Sequence, residues 1–483
     1  MNKGIVGYIL GRMLLVEAGL MILPLIVGLI YRESFRTIGS FLIVIAVLAI
    51  LGLASGFKKP ESMTLYVKEG LVIASLSWIA LSFFGSLPFF LSGEIPSLVD
   101  AIFEASSGIT TTGSSILSDI EALSHSILFW RSLTHLIGGM GVLVFAMALL
   151  PNLSSNSVNI MKAEVPGPVF GKLVSKLANS ARILYIIYLV MTAALIALLM
   201  FGGMDWFDAS IHAFGAAGTG GFSVKNISVG YYDSTYIYYV LSIAMIAFGI
   251  NFNLFYLMVI RQAKKALKNE ELRWYLAIIL IAMILLFVNT YGQYDSVPHL
   301  IRDVVFTVSS IITTTGYTIT DFTVWPLFSR TILLMLMFIG ACAGSTGGGL
   351  KISRVAILIK TAIAEIRKAK EQRQVVSIKF DGNSLDQNVV RSIGRYFIVY
   401  FGVFVFLVLL LSLDVPDFLT AFSAVAATFN NIGPGLGLVG PTCNYAQLSD
   451  FSKIVLSIGM IAGRLELYPV LVLFLPSTWR KRG

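Results

Sequence analysis

Long apolar tracts alternate with short polar segments along nearly the whole chain. The tracts run at about 8–31, 37–57, 70–92, 123–151, 183–203, 234–260, 273–291, 327–363, 393–413 and 451–476. Each reaches the roughly 20 residues that a helix needs to cross a hydrocarbon core. Between them one design recurs four times: a stretch long enough for half a span runs into a polar turn centred on glycine. The turns read GITTTGSS around Gly113, AGTGGFSV around Gly221, IITTTGYT around Gly316 and FNNIGPGL around Gly433. Aligned on those glycines, the segments begin at Asp100, Asp208, Asp303 and, with poorer agreement, Thr420. A fourfold repeat of this kind is how one chain builds a ring.

Composition puts the ring in a bilayer, because 57% hydrophobic and 13% charged residues over 483 positions exclude an ordinary soluble protein. The first tract, with Lys3 and Arg12 at its start, is too long for a signal peptide and lacks a small-residue cleavage site before Tyr31, so it reads as a span. Cys342 and Cys443 fall in different repeats and share no metal-like spacing. Four scattered histidines, His125, His135, His212 and His299, form no metal-spaced pair, and no nucleophile or carboxylate arrangement supports a membrane enzyme. For His212, in the second half-span segment, a structural hydrogen bond is the expected role.

Charge gives the direction. Residues 93–123 and 414–450 hold no Lys or Arg but carry Glu94, Asp100, Glu104, Asp119, Glu121, Asp414, Asp417 and Asp450; Lys225 and Arg302 are exceptions in the other two repeat segments. The opposite loops hold Lys58, Lys59 and Lys68, then Lys162, Lys172, Lys176 and Arg182, then Arg261, Lys264, Lys265, Lys268 and Arg273. A fourth basic region runs from Lys351 through Arg367, Lys368, Lys370 and Arg373 to Arg395, and the tail ends in Arg480, Lys481 and Arg482. Basic loops stay cytoplasmic, so both termini are expected there and the four glycine segments open outward. The net charge of +9 is then a topology signal and not a nucleic-acid patch. The stretch from Arg367 to Arg395 either holds topology against anionic lipid headgroups or meets a cytoplasmic partner.

With a full span before and after it, each glycine segment must enter and leave the membrane on one side, as a re-entrant helix and loop. Irregular backbone at that depth is tolerated where protein buries it or where it lines an aqueous cavity. Four loops around an axis can aim backbone carbonyls inward in place of a cation's hydration shell, with the C-terminal ends of the short helices adding partial negative charge. Any one copy could be a helix-terminating turn. Four copies, each between two spans on the same side, favour the filter.

The sequence resembles the Trk/Ktr/HKT superfamily of potassium transport proteins, and within it the TrkH-type membrane subunit. Beyond the four turns, the resemblance rests on LPFF at Leu87–Phe90, HLIGGMGVLV at His135–Val144, AEVPGP at Ala163–Pro168, ACAGSTGGGLKISR at Ala341–Arg354, NNIGPGLG at Asn430–Gly437 and GRLELYP at Gly463–Pro469. It implies potassium as the transported ion, bound mainly by backbone carbonyls of Thr111, Thr112 and Gly113; Thr219, Gly220 and Gly221; Thr314, Thr315 and Gly316; and Asn431, Ile432 and Gly433. Glycine at all four filter positions goes with potassium preference in this superfamily, whereas Ser in the first unit goes with sodium transport. Asn-Asn-Ile in the fourth unit replaces the Thr run, so selectivity against sodium is expected to be weaker than in a true fourfold channel. The resemblance also implies a homodimer with one pore per protomer, a cytoplasmic nucleotide-binding regulatory subunit, and the cytoplasmic membrane of a bacterium or archaeon. No glycine-rich nucleotide fingerprint follows a strand here, so the nucleotide would belong to the partner.

The expected fold is an all-α polytopic membrane protein: two N-terminal spans over 1–60, then four helix–pore loop–helix repeats over 61–152, 153–268, 269–375 and 376–483. Two further constellations sit below the filter. Gly344, Ser345, Thr346, Gly347, Gly348 and Gly349 interrupt a tract from 327 to 363 that is too long for one straight helix. They read either as a flexible packing kink or as a gating loop, anchored by Lys351, and the resemblance supports the gate. Arg464 lies in an apolar stretch where charge is costly, and reads either as half of an ion pair or as a pore-facing cation that raises the barrier to potassium. The resemblance favours the barrier. Glu466 is expected to pair with a neighbouring span, and Asn251 and Asn253 mark either a helix break in the second repeat or a packing hydrogen bond. The competing class is a coupled secondary transporter moving potassium with a proton or sodium ion, though the units run in one direction and no carboxylate relay is evident.

Overall fold

The computed structural model describes residues 2–56, 60, 66–141, 177–370 and 377–479. Lys58, Lys59, Lys162, Lys172, Lys176, Arg373, the tail from Arg480 and the AEVPGP segment lie outside the described residues. An N-terminal pair, α1 (Lys3–Ile30) and α2 (Phe35–Gly56), precedes four units of one design. The first is α3 (Val67–Ser92), α4 (Leu98–Ile109) and α5 (His125–Gly139). The second is α6 (Leu177–Phe201), α7 (Trp206–Gly218), α8 (Thr235–Phe248) and α9 (Phe252–Val259), followed by the short α10 (Ala263–Leu267). The third is α11 (Glu270–Thr290), α12 (Val297–Ile312), α13 (Leu327–Ile339) and α14 (Ile352–Lys370). A small hairpin, β1 (Lys379–Phe380) with β2 (Asn383–Ser384), leads into the fourth: α15 (Gln387–Leu411), α16 (Phe418–Phe429), α17 (Asp450–Arg464), α18 (Tyr468–Leu473) and α19 (Pro476–Trp479).

The second helix of each unit is a half-span. Helices α4, α7, α12 and α16 have 12, 13, 16 and 12 residues, which at about 1.5 Å per residue falls short of a hydrocarbon core roughly 30 Å thick. Local chemistry starts them at the acidic face. Ser97 accepts from the Asp100 amide at 3.3 Å, Asp205 from Asp208 at 2.7 Å and Asp417 from Thr420 at 2.9 Å, and α12 has Pro298 in its first turn. At the same rim, the hydroxyls of Ser449 and Ser452 hold the Asp414 carboxyl below the usual carboxylate range, so it stays anionic.

Packing closes the four units into a ring. Each leading span lies on its own half-span: α3 on α4, α6 on α7, α11 on α12 and α15 on α16. Each following helix leans on the next unit's half-span: α5 on α7, α8 on α12, α13 on α16 and α17 back on α4. The N-terminal pair packs outside this ring, α1 against α3 and α5 and α2 against α3. Exposed Ile43, Val190, Ile281 and Phe406 on the outer faces of the leading and N-terminal spans suit a lipid surface.

Ten apolar tracts do not become ten unbroken spans. Six described helices are long and apolar enough to cross a membrane: α1, α2, α3, α6, α11 and α15. The other four tracts are the following spans of the four units, and every one stops partway: α5 at Gly139, α8 at Phe248, α13 at Ile339 and α17 at Arg464. Between α8 and α9 the axis turns by 94°. The expected break in the third unit is present, and it spans the whole of 340–351 and not only the glycine run.

Candidate ion pathway

All twelve proposed filter residues lie where the half-spans end, and the same pair of left-handed backbone angles recurs in each turn. Thr111, Thr219, Thr314 and Asn431 have φ of 55°, 55°, 60° and 58°, and the glycines two residues on, Gly113, Gly221, Gly316 and Gly433, have 82°, 76°, 82° and 104°. Such angles are uncommon for a residue with a Cβ. They recur here because each half-span ends in a Schellman motif. Thr112, Gly220, Thr315 and Ile432 amides reach back to Ser107, Gly215, Ser310 and Ala427 carbonyls at 2.8, 2.8, 2.9 and 2.8 Å. Glycine normally takes the left-handed position of that motif, whereas this ring uses Thr three times and Asn once. Positive φ on either side of a residue with negative φ turns successive peptide planes so that their carbonyls can share one side. Asn-Asn-Ile therefore departs from Thr-Thr in side chains and not in backbone.

The glycines also close the ring atom by atom. A Cβ added to Gly113 would lie 1.9 Å from Gly220 O, one on Gly221 2.0 Å from Thr315 O, and one on Gly316 1.9 Å from Ile432 O. On Gly433 it would lie 3.0 Å from Thr112 O, which returns the series to the first unit. Side chains behind the ring lock it further. Thr110 and Thr313 hydroxyls pair with Thr112 and Thr315 at 2.7 and 2.8 Å, and Asn431 Nδ2 donates to Thr112 Oγ1 at 2.8 Å across the joint of units four and one.

Sequence reasoning missed a buried ion pair that braces two of these walls. Arg131 on α5 lies 2.5 Å from Glu104 on α4, with the two side chains 2% and 0% exposed. Glu104 also accepts from Ser115 Oγ and the Ile116 amide at 3.0 Å each. Arg131 donates to Ser223 O at 3.0 Å and stacks over Phe222, 3.5 Å from its centroid. The signal in sequence was a charge of each sign inside apolar segments. Removing one partner strands the other charge, so Glu104→Met is expected to cost about 3–5 kcal/mol of stability. The Glu104→Met/Arg131→Met double variant should unfold at a higher temperature than Glu104→Met alone; a lower melting point for the double variant would reject this account.

Below the ring, all four helix breaks meet the C-terminal ends of half-spans. A Cβ on Gly138 would fall 1.9 Å from Ile109 O and one on Gly463 1.9 Å from Phe429 O, while one on Gly249 would lie 2.4 Å from Tyr275 Oη and 3.1 Å from the Thr313 methyl. The third break extends furthest inward. Gly348 N donates to Thr314 Oγ1 at 2.7 Å, and a Cβ on Gly348 would lie 2.2 Å from Asn430 O. The run Gly344–Gly349 thus presses directly against the turns at the ends of the third and fourth half-spans. It is tied laterally as well: Cys342 N to Gly249 O at 3.1 Å, Phe252 N to Gly344 O at 3.0 Å and Thr346 Oγ1 to Phe248 O at 3.2 Å. Lys351 Nζ donates to Gly347 O, which is the anchoring contact expected of it.

Arg464 ends α17 beside this loop. Its Nη1 donates to Thr346 O at 2.6 Å, and its Nη2 to Gly138 O and Gly139 O at 2.6 and 2.8 Å. One guanidinium thereby joins units four, three and one at the level of the breaks. Glu466 pairs with Arg354 at the start of α14, as expected of a neighbouring span. Asn251 caps α9 through the Asn253 amide at 2.9 Å, so the pair marks a helix break. His212 bridges Asp208 O and Ser223 Oγ at 2.7 and 2.9 Å, a structural role.

Comparison with known proteins covers nearly the full chain. The TrkH family model, described as a cation transport protein, matches residues 38–481. The chain is 37% identical over 482 residues to the Trk system potassium uptake protein TrkH of Salmonella typhimurium, covering 98% of each chain. It is 34% identical to TrkG of Escherichia coli K12, covering 95% of each. The crystal structure of the potassium transporter TrkH from Vibrio parahaemolyticus superposes with a TM-score of 0.90 at 34% identity, covering 99% of this chain and 100% of that one. By these matches along nearly its whole length, the chain belongs to the TrkH family of cation transport proteins.

Proposed function

We propose that this chain carries potassium into the cell through the axis of the four units, with residues 111–113, 219–221, 314–316 and 431–433 as the filter and the loop 344–349, latched by Arg464, as the gate. The observation that carries the reading is the contact of Gly348 with both Thr314 and Asn430, since an obstruction there blocks the inner end of the filter. Basic loops at the opposite face support a cytoplasmic position for both termini. The four units are proposed as repeats with the boundaries 61–152, 153–268, 269–375 and 376–483. The Trk system names of the relatives support a regulatory partner of that system for this chain, and a homodimer is proposed with it. Acidic side chains at the rim, Asp100, Asp414 and Asp417 among them, would raise the local concentration of cations at the outer mouth.

The test is passive flux in proteoliposomes with no proton or sodium gradient. Replacing residues 344–349 with a short flexible linker is expected to raise potassium flux about tenfold or more, because the hydrogen bonds that hold the plug are removed. Unchanged flux would reject the gate. A strict requirement for a coupling ion in the parent protein would reject a channel-like pathway in favour of coupled transport.

A further inference from the structure

Two adjacent carboxylates at the start of α11 face two different structures. Glu271 is 5% exposed. Its Oε1 accepts the Ala343 amide at 2.8 Å and the Ser353 amide at 3.1 Å. Those amides lie at the two ends of the intramembrane break, before Gly344 and just inside α14. One oxygen therefore pins both feet of the loop. Two amide donors on one carboxylate oxygen are charge-assisted bonds in a poorly hydrated place, where they are worth more than neutral ones.

Glu270 holds the β hairpin instead. Its amide donates to Asp381 Oδ1 at 2.6 Å, and its Oε2 accepts the Asp381 amide at 3.0 Å. Asn269 Nδ2 adds a bond to Asp381 Oδ2 at 2.9 Å. A second connection runs through α14, where Lys360 Nζ donates to Glu270 and, at 2.8 Å, to Lys379 O in the hairpin. Helices α11 and α14 thus each hold the hairpin at one point, Glu270 or Lys360, and the loop at another, Glu271 or Ser353. Movement of the hairpin relative to either helix must load the clamp on the loop.

We infer that Glu271 is the positioning residue that keeps the intramembrane loop in its obstructing pose, and that the Glu270–Asp381–Lys360 cluster transmits displacement of the hairpin to that clamp. This rests on the reading of the loop as the gate. On the cytoplasmic side assigned above, the hairpin is where a force from outside the membrane would reach the pore. Each arm of the link is short, and every joint in it is a named hydrogen bond or ion pair.

The chain supplies its own reporter, because buried Cys342 sits on the loop and the one other cysteine, Cys443, is exposed. In a Cys443→Ser background, full-length protein in liposomes is treated with a membrane-permeant maleimide while potassium flux is followed. Glu271→Ala is expected to raise both the labelling rate of Cys342 and the resting flux about tenfold, and Glu271→Gln, which keeps an acceptor oxygen, by less. Asp381→Ala, remote from the membrane core, should raise both in the parent and add nothing in Glu271→Ala. Should Glu271→Ala fail to assemble, Glu271→Gln and Asp381→Ala carry the test. Labelling at the parent rate in the Glu271 variants would overturn the clamp, and effects of Asp381→Ala that multiply with those of Glu271→Ala would overturn the link. The linker variant separates this proposal from the gate: raised flux there with unaltered labelling in Glu271→Ala rejects the clamp alone. Labelling that responds while the linker leaves flux unchanged rejects the gate and keeps the clamp.

Discussion

Gly316→Ala is expected to slow potassium flux at least about tenfold, and to do so more severely than Gly433→Ala. Two costs add at position 316. A φ of 82° in a residue bearing a Cβ costs of the order of 1 kcal/mol. The new carbon, 1.9 Å from Ile432 O, must also displace a backbone carbonyl that belongs to the neighbouring wall. Backbone cannot swing aside as a side chain does, and overpacking of this kind costs typically 1–3 kcal/mol. Because the displaced group is itself a proposed ion ligand, the cost falls on conduction as well as on folding. At Gly433 the equivalent contact is 3.0 Å, so the backbone angle is strained but the neighbouring wall has to give by far less. Tracer uptake by the two variants, normalised to folded protein, measures the difference. Equal losses would show that the joints between walls do not govern permeation.

Arg464→Ala should produce the largest gain. Three bonds from one guanidinium hold Thr346, Gly138 and Gly139 carbonyls, and bonds to charged groups are worth about 1.5–3 kcal/mol each. Their loss both frees the loop and removes a positive charge from the proposed path, so resting flux is expected to rise well beyond tenfold, the factor that ~1.4 kcal/mol supplies. Arg464→Lys separates the two effects. Lysine keeps the charge but cannot span carbonyls in two directions with a planar fork. A latch predicts flux between parent and Arg464→Ala, whereas a purely electrostatic barrier predicts parental flux. Arg464→Ala at the parent rate would remove the residue from the gate altogether.

Repetition made the ring legible in sequence. Four turns of like composition, each between two apolar tracts, identify the half-spans, and the glycines index the filter without reference to side chains that vary. The third break was legible because its tract is too long for one helix and holds six consecutive poor helix formers, Gly344–Gly349. Of the other three, the second was signalled only as one of two readings of Asn251 and Asn253, and the first and fourth were hidden in tracts of ordinary length. Gly138, Gly249 and Gly463 look like small packing residues until the carbonyls of Ile109 and Phe429 and the methyl of Thr313 are seen against them. The partners of Arg464 lie 118, 325 and 326 residues away, and Glu271 is 72 residues from Ala343. No periodicity reports such pairs, so charged residues in apolar segments could be flagged but not matched. The carboxylates Glu17, Glu104 and Glu271 are likewise buried within helices, where spacing along the chain names no partner.

The joint between the fourth and first walls has a chemical signature of its own. Ser114 Oγ and Tyr445 Oη both donate to Gly433 O, at 3.0 and 2.9 Å. A carbonyl oxygen has two lone pairs, and these hydroxyls occupy both. The Gly433 carbonyl is therefore held from the protein side at both of its acceptor positions, and Tyr445, distant in sequence from the first wall, is a fastener of the joint between the fourth wall and the first.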